Sequence, residues 1–193
     1  MFSLLRVSLI TIIALTLATG VSAAQANEHR GFWIGFGVGG GVNLNDGLDG
    51  ERLGGGTGYV RLGGTPSQRV LLGFEGNFWG RERSGATLAR GNLMFVTMFY
   101  PSTQGGGFLK GGIGWASVSR VTAAGSNPTN TTSEGGFGLG LGAGWDVKMG
   151  SNFYLTPNAD VLFQWFEAKD DPVLGQLPGN NTILMISMGL TWH

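Results

Sequence analysis

Bulky apolar side chains recur at every second position along much of this chain. Phe32, Ile34, Phe36 and Val38 hold one parity, while Trp33, Gly35, Gly37 and Gly39 hold the other. Phe137, Leu139, Leu141, Ala143, Trp145 and Val147 repeat the pattern against Gly138, Gly140, Gly142, Gly144, Asp146 and Lys148. A period of two sends successive side chains to opposite faces of a strand, so each segment has one greasy face and one small or polar face. A helix would scatter both sets around its circumference, and each mid-helix glycine would cost about 1 kcal/mol. Eight segments of this kind are predicted as strands, near 31–42, 56–64, 69–80, 86–100, 108–120, 135–148, 152–166 and 182–192. Longer connections (43–55, 81–85, 121–134 and 167–181) alternate with short turns (65–68, 101–107 and 150–151). An even strand count with long loops on one rim and tight turns on the other predicts an all-β fold, an eight-stranded antiparallel up-and-down transmembrane β-barrel.

Charge placement gives that barrel an inside and an outside. Val70, Leu72, Phe74, Phe78, Leu93, Phe95, Phe99, Leu109, Ile113, Trp115, Leu155, Ala159, Val161, Phe163, Trp165, Leu184, Ile186, Met188 and Leu190 share the face assigned to lipid. Arg61, Glu75, Arg90, Lys110, Asp146 and Asp160 all fall on the opposite parity. A cation facing lipid at the midplane would cost about 2 to 4 kcal/mol, so the charges are placed inside, as structural lumen pairs. If Gly80 faces Gly85 across the hairpin, Glu75 stands opposite Arg90; a similar extrapolation pairs Lys110 with Asp146. Inward glycines leave room in the lumen, with Trp33, Tyr59, Trp79 and Tyr154 as its large occupants. Aromatic residues collect near strand ends, with Phe32, Phe99, Trp145, Phe153 and Trp192 on one rim and Phe78, Phe137 and Trp165 on the other. They read as interfacial girdles.

Composition narrows the function. Of 193 residues only 12% are charged, the formal net charge is zero, and cysteine is absent while glycine supplies 37. Zero net charge argues against nucleic-acid binding, and the lack of cysteine excludes disulfides and thiolate metal sites. At the N-terminal end, Arg6 precedes an apolar core over 7–17, and Ala24-Gln25-Ala26 fits a cleavage site. Residues 1–26 are therefore predicted as a secretory signal peptide and 27–193 as one barrel domain. After Ala26 no run of some 18 apolar residues offers a membrane-spanning helix.

Catalytic constellations are lacking in the sequence. The two histidines, His29 and His193, lie at opposite ends of the barrel segment, both expected on the periplasmic side. Asp170 and Asp171 read as a solvated turn. The literal G-x-G-x-x-G at 35–40 sits within a strand and precedes no helix, which excludes a dinucleotide loop. Asn43, Asn45, Asp46, Asp49 and Glu51 lack the spacing of a calcium-binding EF-hand loop. No catalytic, cofactor-binding or metal-ligating residue is assigned, and no cofactor is expected.

The end of the chain adds a resemblance. Leu184, Ile186, Met188, Leu190 and Trp192 alternate with Met185, Ser187, Gly189 and Thr191, resembling the C-terminal assembly signal of outer-membrane barrels, although His193 follows the aromatic residue. With the signal peptide and the loop alternation, residues 31–193 resemble the small eight-stranded outer-membrane barrels of OmpA-barrel, OmpX or OmpW type. The resemblance implies a bacterial outer-membrane location with both termini periplasmic, and a monomer. It also implies contact with outer-membrane lipid and lipopolysaccharide, and with the barrel-assembly machinery during biogenesis. The leading functional expectation is a non-catalytic structural or surface-loop role in the envelope. One alternative is a narrow pore or conduit for small or apolar solutes; another is a soluble periplasmic barrel that reverses the faces to hold a lipophilic ligand.

Overall fold

A computed structural model describes residues 29–44, 52–83, 86–124, 127–167, 170–171, 175–176 and 180–193. The proposed signal peptide lies outside them, as do Asn45, Asp46, Asp49 and Glu51. Strands β1 (Gly31–Asn43), β2 (Leu53–Ser67), β3 (Val70–Arg83), β4 (Ala86–Phe99), β5 (Gly107–Ala124) and β6 (Asn127–Trp145) follow one another as antiparallel neighbours. Asp146 interrupts the sixth wall strand, which resumes as β7 (Val147–Lys148). Strands β8 (Phe153–Phe166) and β11 (Asn180–Trp192) complete the wall, and β11 pairs with both β8 and β1. Pairing of Ile34 with Trp192 through Asn43 with Ile183 closes the sheet. Closure leaves no exposed edge, so every wall strand finds hydrogen-bond partners within the chain. A short hairpin, β9 (Asp170–Asp171) with β10 (Gly175–Gln176), lies between β8 and β11; Asp170 and Asp171, expected in a plain turn, thus begin a strand pair.

Several wall strands reach beyond the sequence pattern. The segment 121–134, expected as a long loop, is mostly ladder, because β5 and β6 run to 18 and 19 residues and pair as far as Ala124 with Asn127. Its Thr, Ser, Asn and Val residues carry no lipid-facing apolar parity, so the strand signal fades where the hairpin leaves the apolar zone. Thr65 and Pro66 also belong to a strand, the turn itself being Gln68–Arg69, and a register shift between Gly64 and Ser67 accommodates them.

The faces divide as parity requires. Phe32, Phe74, Phe95, Leu93, Leu109, Ile113, Leu141, Ile186 and Met188 are exposed around the outside. Phe99, Trp145 and Trp192 lie at the rim of the short turns, where Trp192 packs on Phe153 with ring centroids 4.5 Å apart. At the other rim Phe137 and Trp165 are 5.6 Å apart, and Phe78 is exposed. Phe78 lies across Gly58 on the neighbouring strand, where an added Cβ would stand 2.6 Å from its ring. Cross-strand packing of this kind covers a glycine's bare backbone with aromatic surface.

Candidate functional site: a filled lumen and a histidine-lined rim

An eight-stranded barrel has an interior just wide enough for side chains. Here two apolar clusters occupy it. Trp33, Leu71, Met98, Tyr100 and Phe108 pack toward the short-turn rim. Leu53, Trp79, Met94, Val96, Leu162, Ile183 and Met185 pack farther along. The expected large occupants Trp33, Tyr59, Trp79 and Tyr154 are all buried, but they are a minority of the filling. Inward methionines, leucines and Tyr100 also fill it, and short stretches such as Met94, Val96 and Met98 gave no parity contrast because both faces of β4 are apolar there.

The inward glycines work differently from the expected open space. A Cβ on Gly37 would stand 2.5 Å from the Tyr59 ring, and one on Gly189 would collide with the Tyr59 hydroxyl. Gly144 likewise receives the Phe108 ring, and Gly142 the Asp160 carboxylate. These glycines are recesses in the wall into which larger groups from facing strands fit.

Arg61, Glu75, Arg90, Lys110, Asp146 and Asp160 point inward and are each no more than 6% exposed. Their partners are not the ones the hairpin arithmetic gave. Gly80 stands across from Ala89, not Gly85, and β3 and β4 stay paired to Arg83 and Ala86, so Glu75 faces Met94 and Arg90 faces Trp79. The Glu75 and Arg90 pair is thereby corrected. Lys110 faces Gly142, which likewise separates it from Asp146. The two hairpins slip in opposite senses: the β3–β4 turn falls two residues later than the alignment of Glu75 with Arg90 requires, and the β5–β6 turn two residues earlier than the alignment of Lys110 with Asp146 requires.

Contacts across the lumen take the place of those pairs. Lys110 Nζ lies 2.7 Å from Glu75 and 2.9 Å from Asp160, a cation held between two carboxylates. Asn77 donates to Glu75 at 3.2 Å, Asn92 to Asn77 at 3.0 Å, Gln164 to Asn92 at 3.1 Å and Asn181 to Gln164 at 3.0 Å. The amides thus carry a hydrogen-bonded chain from the charge cluster across β3, β4, β8 and β11. Arg61 stands across from Glu75 on the adjacent strand and places its guanidinium 4.8 Å from the Tyr59 ring centroid and 5.4 Å from that of Phe108. Aromatic faces on both sides stabilise a desolvated cation. The Arg90 guanidinium lies 5.7 Å from the Phe166 ring.

Asp146 heads a second cluster at the short-turn rim. Tyr100 and Thr156 each donate a hydroxyl to it at 2.6 Å, and Thr156 exchanges a hydrogen bond with Thr191 at 2.9 Å. His193 Nε2 lies 3.9 Å from the carboxylate. His29 stacks beside Tyr100 and His193, at centroid distances of 4.1 and 4.5 Å. Burial holds the Tyr100 hydroxyl well above its ordinary pKa, with the Asp146 carboxylate beside it adding to the shift, so it stays a donor. Burial also lowers the His29 imidazole, with help from His193, against the Gln68 carbonyl and Asp146. Sequence reading kept the two histidines apart because nothing in a linear pattern says that strand closure brings the chain ends together. His29, Asp146 and His193 place candidate ligand atoms within 4.8 Å of one another.

No protein-family model and no curated protein matches the chain. Among solved structures, neisserial surface protein A is similar at 11% identity with a TM-score of 0.60, covering 86% of this chain and 99% of its own. The attachment invasion locus protein Ail of Yersinia pestis is similar at 13% identity with a TM-score of 0.55, covering 84% of this chain and 99% of its own. A second structure of Ail, in complex with the heparin analogue sucrose octasulfate, gives 16% identity and a TM-score of 0.51, covering 84% of this chain and 99% of that one. The fold is that of the small outer-membrane β-barrels. At these identities the likeness concerns the fold alone. The closed eight-stranded wall and the absence of helices among the described residues agree with the all-β barrel expected from the sequence.

Proposed function

We propose that this protein is an integral protein of the bacterial outer membrane whose barrel is plugged and non-catalytic, and whose role in the cell envelope is structural, anchoring the envelope or presenting its loops at the cell surface. One observation carries the reading: the molecule is apolar outside and charged inside. Large residues such as Phe32, Leu93, Ile113 and Ile186 are exposed while Lys110, Glu75 and Asp160 are buried. A soluble protein would expose the charges and bury the apolar groups, so the reversed-face periplasmic reading loses its support. Lipid around the belt is the partner this surface fits, with lipopolysaccharide at the long-loop rim and the assembly machinery engaging β11 during insertion. A monomer suits a belt that is apolar all the way round and a closed wall that offers no edge.

The filled interior argues against the narrow-pore alternative, since Trp79, Met94, Tyr59 and the Lys110 cluster all converge on the lumen. Two measurements test the proposal. The membrane fraction should yield a band that migrates faster before boiling in SDS than after, as a folded barrel does; a band unmoved by heat counts against the membrane barrel. The purified protein in planar bilayers should stay silent, and steady unitary conductance would replace the plugged barrel with a pore.

A further inference from the structure

We infer that His29, Asp146 and His193 form a site for a divalent transition-metal ion of the zinc class, which fastens the barrel at its short-turn rim. The three residues come from separate places: His29 precedes β1, Asp146 sits at the break between β6 and β7, and His193 follows β11. Their ligand atoms lie within 4.8 Å of one another, and His193 Nε2 is already 3.9 Å from Asp146. Ligands at zinc distances of about 2.0 to 2.1 Å in a tetrahedron stand roughly 3.3 Å apart, so capture needs a contraction of up to about 1.5 Å.

Each ligand is prepared for the task. His29 Nδ1 lies 3.2 Å from the Gln68 carbonyl, which can only accept, so Nδ1 carries the proton and Nε2 keeps its lone pair. That Nε2 is buried with no hydrogen-bond partner, and so are both ring nitrogens of His193. His29 is 1% exposed and the His193 side chain 1% exposed. Buried nitrogens without partners are expensive, and their convergence on one carboxylate is the arrangement an ion resolves. Asp146 receives Tyr100 on Oδ2 and Thr156 on Oδ1, each of which leaves a lone pair on its oxygen for a metal. Two imidazoles and one carboxylate suit zinc and its neighbours rather than calcium or magnesium, which prefer oxygen. An ion there would tie β1, the β6–β7 break and β11 together, and β8 through Thr156.

The test uses the untagged protein folded in detergent micelles, stripped with a chelator and titrated with Zn2+. One ion per barrel should bind, and Co2+ in its place should give the intense visible bands of a tetrahedral nitrogen and oxygen site. His29→Ala and His193→Ala, both outside the strands, should each weaken Zn2+ binding by about tenfold or more, and Tyr100→Phe, which leaves all three ligands, by about tenfold. Zn2+ should also raise the unfolding temperature of the wild-type barrel and not of the double histidine variant. Absence of saturable one-to-one binding by the folded wild-type barrel overturns the inference, as does undiminished binding by the His29→Ala/His193→Ala variant.

Discussion

Lys110 is the residue on which the buried charges depend most, because its ammonium lies within salt-bridge distance of both Glu75 and Asp160. Lys110→Met keeps most of the length of the side chain and removes its charge, leaving the buried Glu75 and Asp160 carboxylates without their shared cation. A buried pair broken from one side costs about 3 to 5 kcal/mol, so the variant should unfold at markedly lower urea concentration when followed by tryptophan fluorescence in micelles. Adding Glu75→Gln and Asp160→Asn should return most of that loss; a triple variant as weak as the single one would mean that size, not charge, holds the layer. Glycines allow a similar contrast. Gly189→Val pushes into Tyr59, whereas Gly76 is on the outer face with nothing within 4 Å of an added Cβ. Overpacking costs about 1 to 3 kcal/mol. Gly189→Val should therefore lose stability by that order in the same urea assay, and Gly76→Val should match the wild type or exceed it, since a β-branched residue suits an open strand position. At this scale parity was legible in the sequence: the six charges assigned to the inner face, Arg61, Glu75, Arg90, Lys110, Asp146 and Asp160, are all buried there. Their partners were not, because a side chain such as Lys110 crosses the lumen to Glu75, and a distance across a barrel has no sequence signature.

Strand number and direction were legible because each lipid-facing segment must be about as long as the apolar layer is thick. Register was not, since it depends on where a hairpin turns, and the sequence from Arg81 to Gly85 has no apolar alternation to mark the place. The difference is measurable in a chain with no native cysteine. Phe74 pairs with Phe95 in the structure, their rings 5.7 Å apart, whereas the earlier turn would have set Phe74 against Gly91. Directly opposed residues in an antiparallel pair lie within disulfide range, at about 4.5 to 5.5 Å between Cα atoms. Phe74→Cys with Phe95→Cys should oxidise to a disulfide that shifts migration on a non-reducing gel. Phe74→Cys with Gly91→Cys should remain reduced; the reverse result would restore the Glu75 and Arg90 alignment. The β5–β6 hairpin shows the same limit in another form. Its outer part pairs as strand without the apolar alternation that announces lipid contact, so the sequence pattern ends where the apolar belt does and the ladder continues.

Closure is the property of the whole molecule that no segment announces. Pairing β1 with β11 removes the last sheet edges and, as a by-product, sets His29 beside His193 against Asp146, the grouping that the sequence left at opposite ends. The same closure gives the barrel two unlike rims, and the proposed membrane orientation follows from them. The short turns, residues 29–30 before β1, His193 after β11 and the Asp146 cluster share one rim; the long β5–β6 hairpin leaves from the other. Translocating short turns and retaining long hairpins would reverse the usual arrangement of such barrels, in which turns are periplasmic and loops extracellular. Single cysteines report on this directly, since no other thiol competes for label. Ser102 lies exposed in the turn after β4, and Ser133 lies exposed on the outer part of β6. In intact cells a membrane-impermeant maleimide should label Ser133→Cys and spare Ser102→Cys, and permeabilising the outer membrane should make both react. Labelling of Ser102→Cys in intact cells, with Ser133→Cys protected, would invert the barrel. It would also move the Asp146 cluster to the cell surface, where its metal would be drawn from the medium instead of the periplasm.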